Sequence, residues 1–388
     1  MRLSRKRRLR GKAPWYLLLT AMLWNGLVRS RKSPVLSEGE AHSPRMHVLT
    51  SNQLRNTVLE SDQKLLVIEV MHGLCNRLRA YASAAVVAKI SGRQLVLVWK
   101  PDIHTNASFS DLFLSPFRNT VVVEQDVLAS LNSTGQSTDF YDYMDSSVKG
   151  GNIITQSTKH IYVRSAFELS TDVQYSEFEL RNVYKEIFQH ISNPVSKHVT
   201  ALLQRKAKGT RMIGVHVRML VDQKADIPGI EKLPDSSTNG LRLMHEAETH
   251  RSRCHVQYFT PKIQKELEKL PKSVIFIASD SQEAIDVVEN MFEPGTAVIH
   301  TDSSKLLRCR GHERRGSFCS QLALSEFIFL ATSEVLLTSE WSSATDVLLR
   351  LHDGAHICGC ADSNASSNIS ESSKSFLQRL RGSRFRWT

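Results

Sequence analysis

Leu65-Leu66-Val67-Ile68-Glu69-Val70 is an almost unbroken apolar run, followed at once by a glycine-containing turn and an Ala-rich stretch from Leu78 to Ile90. Gly92 closes that stretch, and Leu95-Val96-Leu97-Val98-Trp99 is a second apolar run. A short apolar run without polar alternation reads as a strand covered on both faces. The Ala-rich stretch reads as a helix that Gly92 stops. Strand, helix and strand in this order make a β-α-β unit, the building block of a parallel sheet with helices over its faces.

The same grammar returns later. Met212 to Val217, Val274 to Ala278, Ala297 to Ile299 and Val335 to Thr338 read as strands, and Gln282 to Met291, Gln321 to Thr332 and Ala344 to Leu351 as helices. Two blocks, residues 63–205 and 206–360, predict an α/β chain of two doubly wound, Rossmann-like domains facing a cleft. A length of 388 residues accommodates both. No short-period repeat is visible, which excludes a solenoid.

The formal net charge of +11 sits at the ends. Residues 1–32 hold ten Lys/Arg and no acid, residues 371–388 carry +4, and residues 33–370 are left at −3. A nucleic-acid-binding body would carry the positive charge itself, so no nucleic-acid partner is expected. Arg2, Arg5, Lys6, Arg7, Arg8, Arg10 and Lys12 precede an apolar run from Ala13 to Val28, which Arg29, Arg31 and Lys32 close. This predicts a basic cytoplasmic tail (1–12), a signal-anchor helix (13–28) and a polar stem (29–62). By the positive-inside rule the body would lie in the lumen of the Golgi or endoplasmic reticulum, as a single-pass type II membrane protein. The apolar run is shorter than the ~20 residues that span a bilayer, so a cleaved signal peptide is the alternative. Trp24-Asn25-Gly26 lacks the small-residue pattern of a cleavage site. Residues 361–388, Ser-rich and then basic, are expected to form a flexible tail.

A lumenal body agrees with sequons at Asn106, Asn132, Asn364 and Asn368, and with an even set of cysteines: Cys75, Cys254, Cys309, Cys319, Cys358 and Cys360. Cys309 with Cys319 is the first pair expected. Cys358-Gly-Cys360 is spaced too closely for a zinc pair.

In open α/β sheets ligands bind beyond the carboxyl ends of the strands, where helix N-termini offer N–H groups to anions. Four clusters fall there. His72-Gly73-Leu74-Cys75-Asn76-Arg77 follows the first strand; Gly73 suits a tight turn, Asn76 a helix cap and Arg77 a phosphate or acceptor oxygen. Val215-His216-Val217-Arg218 ends a strand with a charge that needs an anion, either a phosphate or a buried carboxylate. Asp280, after the next strand, suits ribose hydroxyls or a guanine edge, and equally a helix cap. Thr338 to Asp346 is rich in hydroxyls and suits a diphosphate, or is a Ser-rich cap.

Gly73-Leu-Cys-Asn-Arg-Leu-Arg79, His216-Val-Arg218, Ala278-Ser-Asp280 and Ser339-Glu-Trp-Ser-Ser343 together resemble the signature regions of the fucosyltransferase superfamily, which includes protein O-fucosyltransferases and nodulation-type α1,6-fucosyltransferases. The resemblance covers about residues 63–355. It implies a GT-B-like fold and a GDP-fucose donor held mainly by the second domain. Arg218 would hold the β-phosphate and stabilise the leaving GDP, with Ser342 and Ser343 on the phosphates and Asp280 on the nucleoside. Asn76 and Arg77 would approach the diphosphate or fucose, and His216 would shape the donor pocket. Cys75 departs from the family pattern, which has a glycine or an aromatic there.

An inverting transfer needs the leaving-group charge stabilised and an acceptor hydroxyl deprotonated. The sequence lacks the Asp-x-Asp of metal-dependent transferases. No metal or other cofactor is therefore expected, and Arg218 and the helix N-termini take that load. His72 is the expected base, with Asp102, His104 and Asp222 as rivals and the first two as acceptor-side candidates. The acceptor would be a glycan or glycoprotein. Alternatives are a lumenal transferase using another nucleotide sugar, a sulfotransferase, or a catalytically inactive nucleotide-sugar- or glycan-binding protein.

Overall fold

The computed structural model describes residues 63–118, 120–132, 137–145, 151–219, 249, 252–292, 296–309, 315–340 and 342–361. The expected tail, anchor and stem (1–62), the basic tail from 362 onward, Asp222, Trp341 and the sequons at Asn364 and Asn368 lie outside these residues. No helix among the described residues is long and apolar enough to cross a membrane.

The first half contains β1 (Leu65–Val70), α1 (Leu74–Ile90), β2 (Gln94–Val98), α2 (Phe109–Leu112), β3 (Val121–Val123), α3 (Leu128–Asn132), β4 (Thr138–Asp142), β5 (His160–Ser165), α4 (Glu177–Ile187) and α5 (Asn193–Arg205). Its strands pair in the order β3-β2-β1-β5-β4, all parallel. The second half contains β6 (Met212–Val217), α6 (Val256–Lys269), β7 (Val274–Ser279), α7 (Gln282–Met291), β8 (Val298–Ile299), α8 (Ser303–Arg308), α9 (Ser317–Leu330), β9 (Val335–Thr338), α10 (Ser343–Leu351) and β10 (Ala355–Cys358). Its order is β10-β9-β6-β7-β8, again all parallel.

The central strands β1 and β6 are buried along their whole length, as unalternating apolar runs require. Helix α1 begins four residues before the stretch expected from the sequence. Gly73, extended at φ −66° and ψ 161°, is its N-cap, so Asn76 lies inside the helix rather than capping it. The left-handed residue of the turn is His72, at φ 66°, not Gly73. Gly92 is left-handed at φ 62° just past the helix, as its position predicts. Capping boxes start α2 (Ser108 with Asp111) and α4 (Ser176 with Glu179). Helix α9 spans 317–330 instead of 321–332, because Gly316 supplies the N-cap and the Thr332 and Ser333 hydroxyls fold back on the Phe329 and Leu330 carbonyls.

One apolar core joins the two sheets: Ile68 and Val70 of β1 belong to the same buried cluster as Phe276 of β7 and Leu336 of β9. Two helices of the second half carry that continuity. Helix α9, buried on most sides, packs on α5 and α2 and also reaches β6 and β7. Helix α10 packs on α1 and α4. Disulfides join Cys309 to Cys319, the expected pair, and Cys254 to Cys360, while Cys75 and Cys358 remain thiols.

Candidate active site

In each sheet the chain leaves the central strand in one direction and later returns to its other side. The second sheet runs β6-β7-β8 and then sets β9 against β6; the first runs β1-β2-β3 and then sets β5 against β1. Such reversals open a crevice at the carboxyl ends of the strands, where ligands bind. The loops at these crevices are those after β6, β9, β1 and β5, and three of the four sequence clusters lie in them.

Arg218 follows β6. Its backbone N–H donates to Ser339 Oγ after β9 (2.9 Å), and Nη1 lies 2.7 Å from Asp280 Oδ2 after β7. Asp280 Oδ1 accepts the Met219 N–H (2.9 Å). The charge at the strand end is therefore paired with a carboxylate, while about a quarter of the Arg218 side chain stays accessible (24%). Ser339 is fully buried and holds the turn: its N–H donates to His216 O, and its carbonyl accepts from Thr345 Oγ1. Ser342 is the N-cap of α10, makes no side-chain cap bond, and is half-buried beside Ser343. That helix start combines a hydroxyl with N–H groups that no side chain caps, an arrangement suited to an anion.

His216 lies in β6 between Ala278 and Thr338. It is 6% exposed, and its Nδ1 has no hydrogen-bond partner among the described residues. Burial pulls its pKa down to about 4, with Asp280 opposing and Arg218 adding to the effect, so the ring is neutral.

Across the crevice, α1 begins at Gly73. The buried Cys75 thiol is pushed up to about 12 by desolvation, while the positive charges of Arg218 and Arg79 pull it back and Asp346 adds to the rise. Arg218 after β6, Arg79 of α1 and Asp346 of α10 thus share one electrostatic neighbourhood. Arg79 joins three elements: Nη1 to Asp346 Oδ2 (3.0 Å), and Nη2 to Asn76 Oδ1 (3.0 Å) and to the Ala166 carbonyl after β5 (2.9 Å).

Arg77 departs from its expected place on the diphosphate. It is fully buried, with Nε on the His72 carbonyl (2.8 Å), Nη1 on the Lys100 carbonyl (2.7 Å) and Nη2 at 2.8 Å from Asp102 Oδ2. It also lies over the Trp99 ring. Asp102 is not a base in waiting: its second oxygen accepts the His104 and Thr105 N–H groups. Asn76 likewise turns to Arg79. These side chains build the loop wall that carries His72 and His104, whose rings meet edge-on at 4.9 Å. The His72 pKa is lowered, first by burial and then by His104, with Asp102 opposing. A neutral imidazole, here on a left-handed, strained backbone, can accept a proton. Arg315 enters this wall from the second half: its carbonyl accepts the Asn106 N–H (2.7 Å), and its Nη1 stands 3.7 Å from where a Gly73 Cβ would lie. Asn106, the sequon residue there, is exposed.

Sequence reasoning expected Arg218, Asp280, His216, Ser342 and Ser343 around one donor; the structure pairs Arg218 with Asp280 and ties Arg218 and His216 to Ser339, three residues before Ser342. Sequence reasoning did not find the Arg79–Asp346 bridge, the turn-holding role of Ser339 or the approach of Arg315. The Arg/Gly-rich loop closed by Cys309–Cys319 was the one available hint of the last.

No protein-family model matches the chain, and no curated protein matches it. Among solved structures, the chain is similar to NodZ alpha-1,6-fucosyltransferase soaked with GDP-fucose, with 18% identity, a TM-score of 0.50, and coverage of 79% of this chain and 98% of that one. It is also similar to fucosyltransferase NodZ from Bradyrhizobium (18%, TM-score 0.49, 75% and 93% covered) and to an Arabidopsis thaliana FUT1 variant in complex with GDP (14%, TM-score 0.46, 86% and 74% covered). Of these three the first reaches a TM-score of 0.50, and the shared fold rests on it: two parallel-sheet α/β units, consistent with a GT-B-like organisation.

Proposed function

We propose that the chain is an inverting glycosyltransferase that moves fucose from GDP-fucose to a hydroxyl of a glycan or glycoprotein. The observation that carries this is Arg218: a charged strand end at the crevice of the second sheet, sharing one electrostatic neighbourhood with α1 and with α10. The likeness to the NodZ fold and the fall of the four superfamily-like motifs at strand ends support the choice of donor.

In the reaction, the acceptor oxygen bonds to C1 of fucose as the bond from C1 to the β-phosphate oxygen breaks. The electron pair stays on GDP and the acceptor proton goes to His72. Arg218, oriented by Asp280 at its Nη1, stabilises the charge that builds on GDP. Ser342, Ser343 and the α10 N-terminus take the diphosphate, and Asp280 takes the nucleoside. His216, neutral and buried, shapes the wall behind them. Arg77, Asp102 and Asn76 act by holding the loops rather than by touching donor. No metal is needed in this scheme. The setting is a Golgi or endoplasmic reticulum membrane, a placement supported by the basic-apolar-basic start, the sequons and the disulfides.

The test is a donor panel. With an acceptor mixture, the full chain should release GDP from GDP-fucose and not from GDP-mannose, and UDP-sugars should stay intact. GDP should raise the melting temperature by mass action and UDP should not. Equal shifts with both nucleotides would overturn the donor.

A further inference from the structure

Helix α10 follows β9 in the chain, yet its body is built into the first half. Val347, Leu348 and Leu351 are buried in the core shared with α1 and α4. Its C-terminal turn is held by α4: Arg181 donates to the Leu349, Arg350 and His352 carbonyls, and Lys185 pairs with Asp353 at 2.9 Å. Arg350 pairs with Glu168 at 2.7 Å and Glu177 at 3.2 Å. At its N-terminal turn a side-chain link to α1 runs from Arg79 to Asp346 at 3.0 Å, 17% and 20% exposed respectively. Burial fixes that α10 lies on the first half. A directional ion pair in the first turn fixes where the helix start points.

We propose that Asp346 is a positioning residue: through Arg79 it aligns the start of α10 with the start of α1, so that both N-termini face one diphosphate beside Arg218. This rests on the donor reading above. Arg79 is suited to the task because it is tied to Asn76 of α1 and to the end of β5, and so offers Asp346 a fixed rather than a swinging partner.

The sign of one measurement separates this from bare electrostatics. A carboxylate in the first turn of a helix competes with an anion bound at that turn. If Asp346 acted only through its charge, Asp346→Asn would tighten GDP. If it positions, Asp346→Asn weakens GDP by roughly tenfold, the size of one lost hydrogen bond to a charged group. Guanosine, which lacks the diphosphate, should bind as before. The experiment is calorimetric titration of the full chain and of Asp346→Asn, Asp346→Glu and Arg79→Lys with GDP and with guanosine, beside thermal melts. Expected are weaker GDP with unchanged guanosine in Asp346→Asn and Arg79→Lys, and partial recovery in Asp346→Glu. Tighter or unchanged GDP binding in a folded Asp346→Asn overturns the proposal and leaves the donor reading standing. Equal loss of GDP and guanosine, tracking the melts, assigns the pair to stability alone and also overturns it. Absence of GDP binding by the wild type overturns both. Should Asp346→Asn not fold, Asp346→Glu and Arg79→Lys carry the same comparison.

Discussion

Arg218 and Asp280 meet at the ends of adjacent parallel strands, Nη1 to Oδ2 at 2.7 Å, with the second Asp280 oxygen on the Met219 N–H. The carboxylate therefore orients the guanidinium from behind and tethers the chain just after it. Arg218→Ala is expected to lower turnover by on the order of 10² to 10³, the cost of one preorganised stabiliser. Arg218→Lys keeps the charge, loses the planar fork and should recover only a small part. Single-turnover rates beside thermal melts check this. Rates within a few-fold of wild type in folded variants would move the leaving-group role elsewhere.

Arg77 should behave differently, although it stands in the same motif-like stretch as the helix start. Asp102→Ala leaves the enclosed Arg77 guanidinium without its carboxylate, a change that typically costs about 3–5 kcal/mol for a buried pair and less here, since Asp102 is 30% exposed. The expected result is a lower denaturation midpoint with donor affinity unchanged. A stable protein with a raised donor KM would place Arg77 at the donor after all.

The strands were legible because β1, β6 and β9 are mostly apolar runs buried from end to end and β7 is buried up to Ala278, and a buried strand has no other sequence to show. The ordering of site loops followed from that. What remained hidden depends on partners far away in the chain. Nothing near Arg77 says that the loop after β2 returns Asp102 to it, and Arg79 meets Asp346 across 267 positions. Gly73 suits a tight turn in the sequence, but the residue that takes the left-handed conformation is His72, whose carbonyl accepts from Arg77 and Thr105.

His72 sets an expected pH profile. Burial and the neighbouring His104 lower its pKa from 6.5, with Asp102 opposing. A base acts when neutral, so the rate should rise through a pKa below 6.5 and stay level above it. His72→Gln should remove that acid limb and lower turnover by about 10² to 10⁴. A limb that persists in the variant belongs to another group.

His216 makes a stability prediction of definite sign. Its pKa is about 4 when folded against 6.5 unfolded. Above 6.5 both states are neutral and nothing is lost. As pH falls from 6.5 to about 4 the unfolded chain takes up the proton first, so stability drops, by roughly 3 kcal/mol at the low end. Urea melts of wild type and His216→Gln at pH 8 and pH 4.5 should show the wild type losing more between the two. Parallel changes would mean that the ring is solvated.

Chelation is the remaining check. The chain has no Asp-x-Asp, and Arg218 with the helix starts is assigned the load a cation would carry. Most GDP release should survive EDTA. Loss that manganese restores would require a metal-assisted route.

The seating of α10 also bears on how the molecule tolerates exchange of parts. A hybrid that joins residues up to 205 with the remainder of a distant relative would bring in a foreign α10 beside a resident Arg79, Glu168, Arg181 and Lys185. Only partners that accept those four side chains would be interchangeable. Shuffling for altered donor use should therefore carry the helix contacts at 79, 168, 181 and 185 along with segment 343–353, as one heritable block scattered over the primary structure.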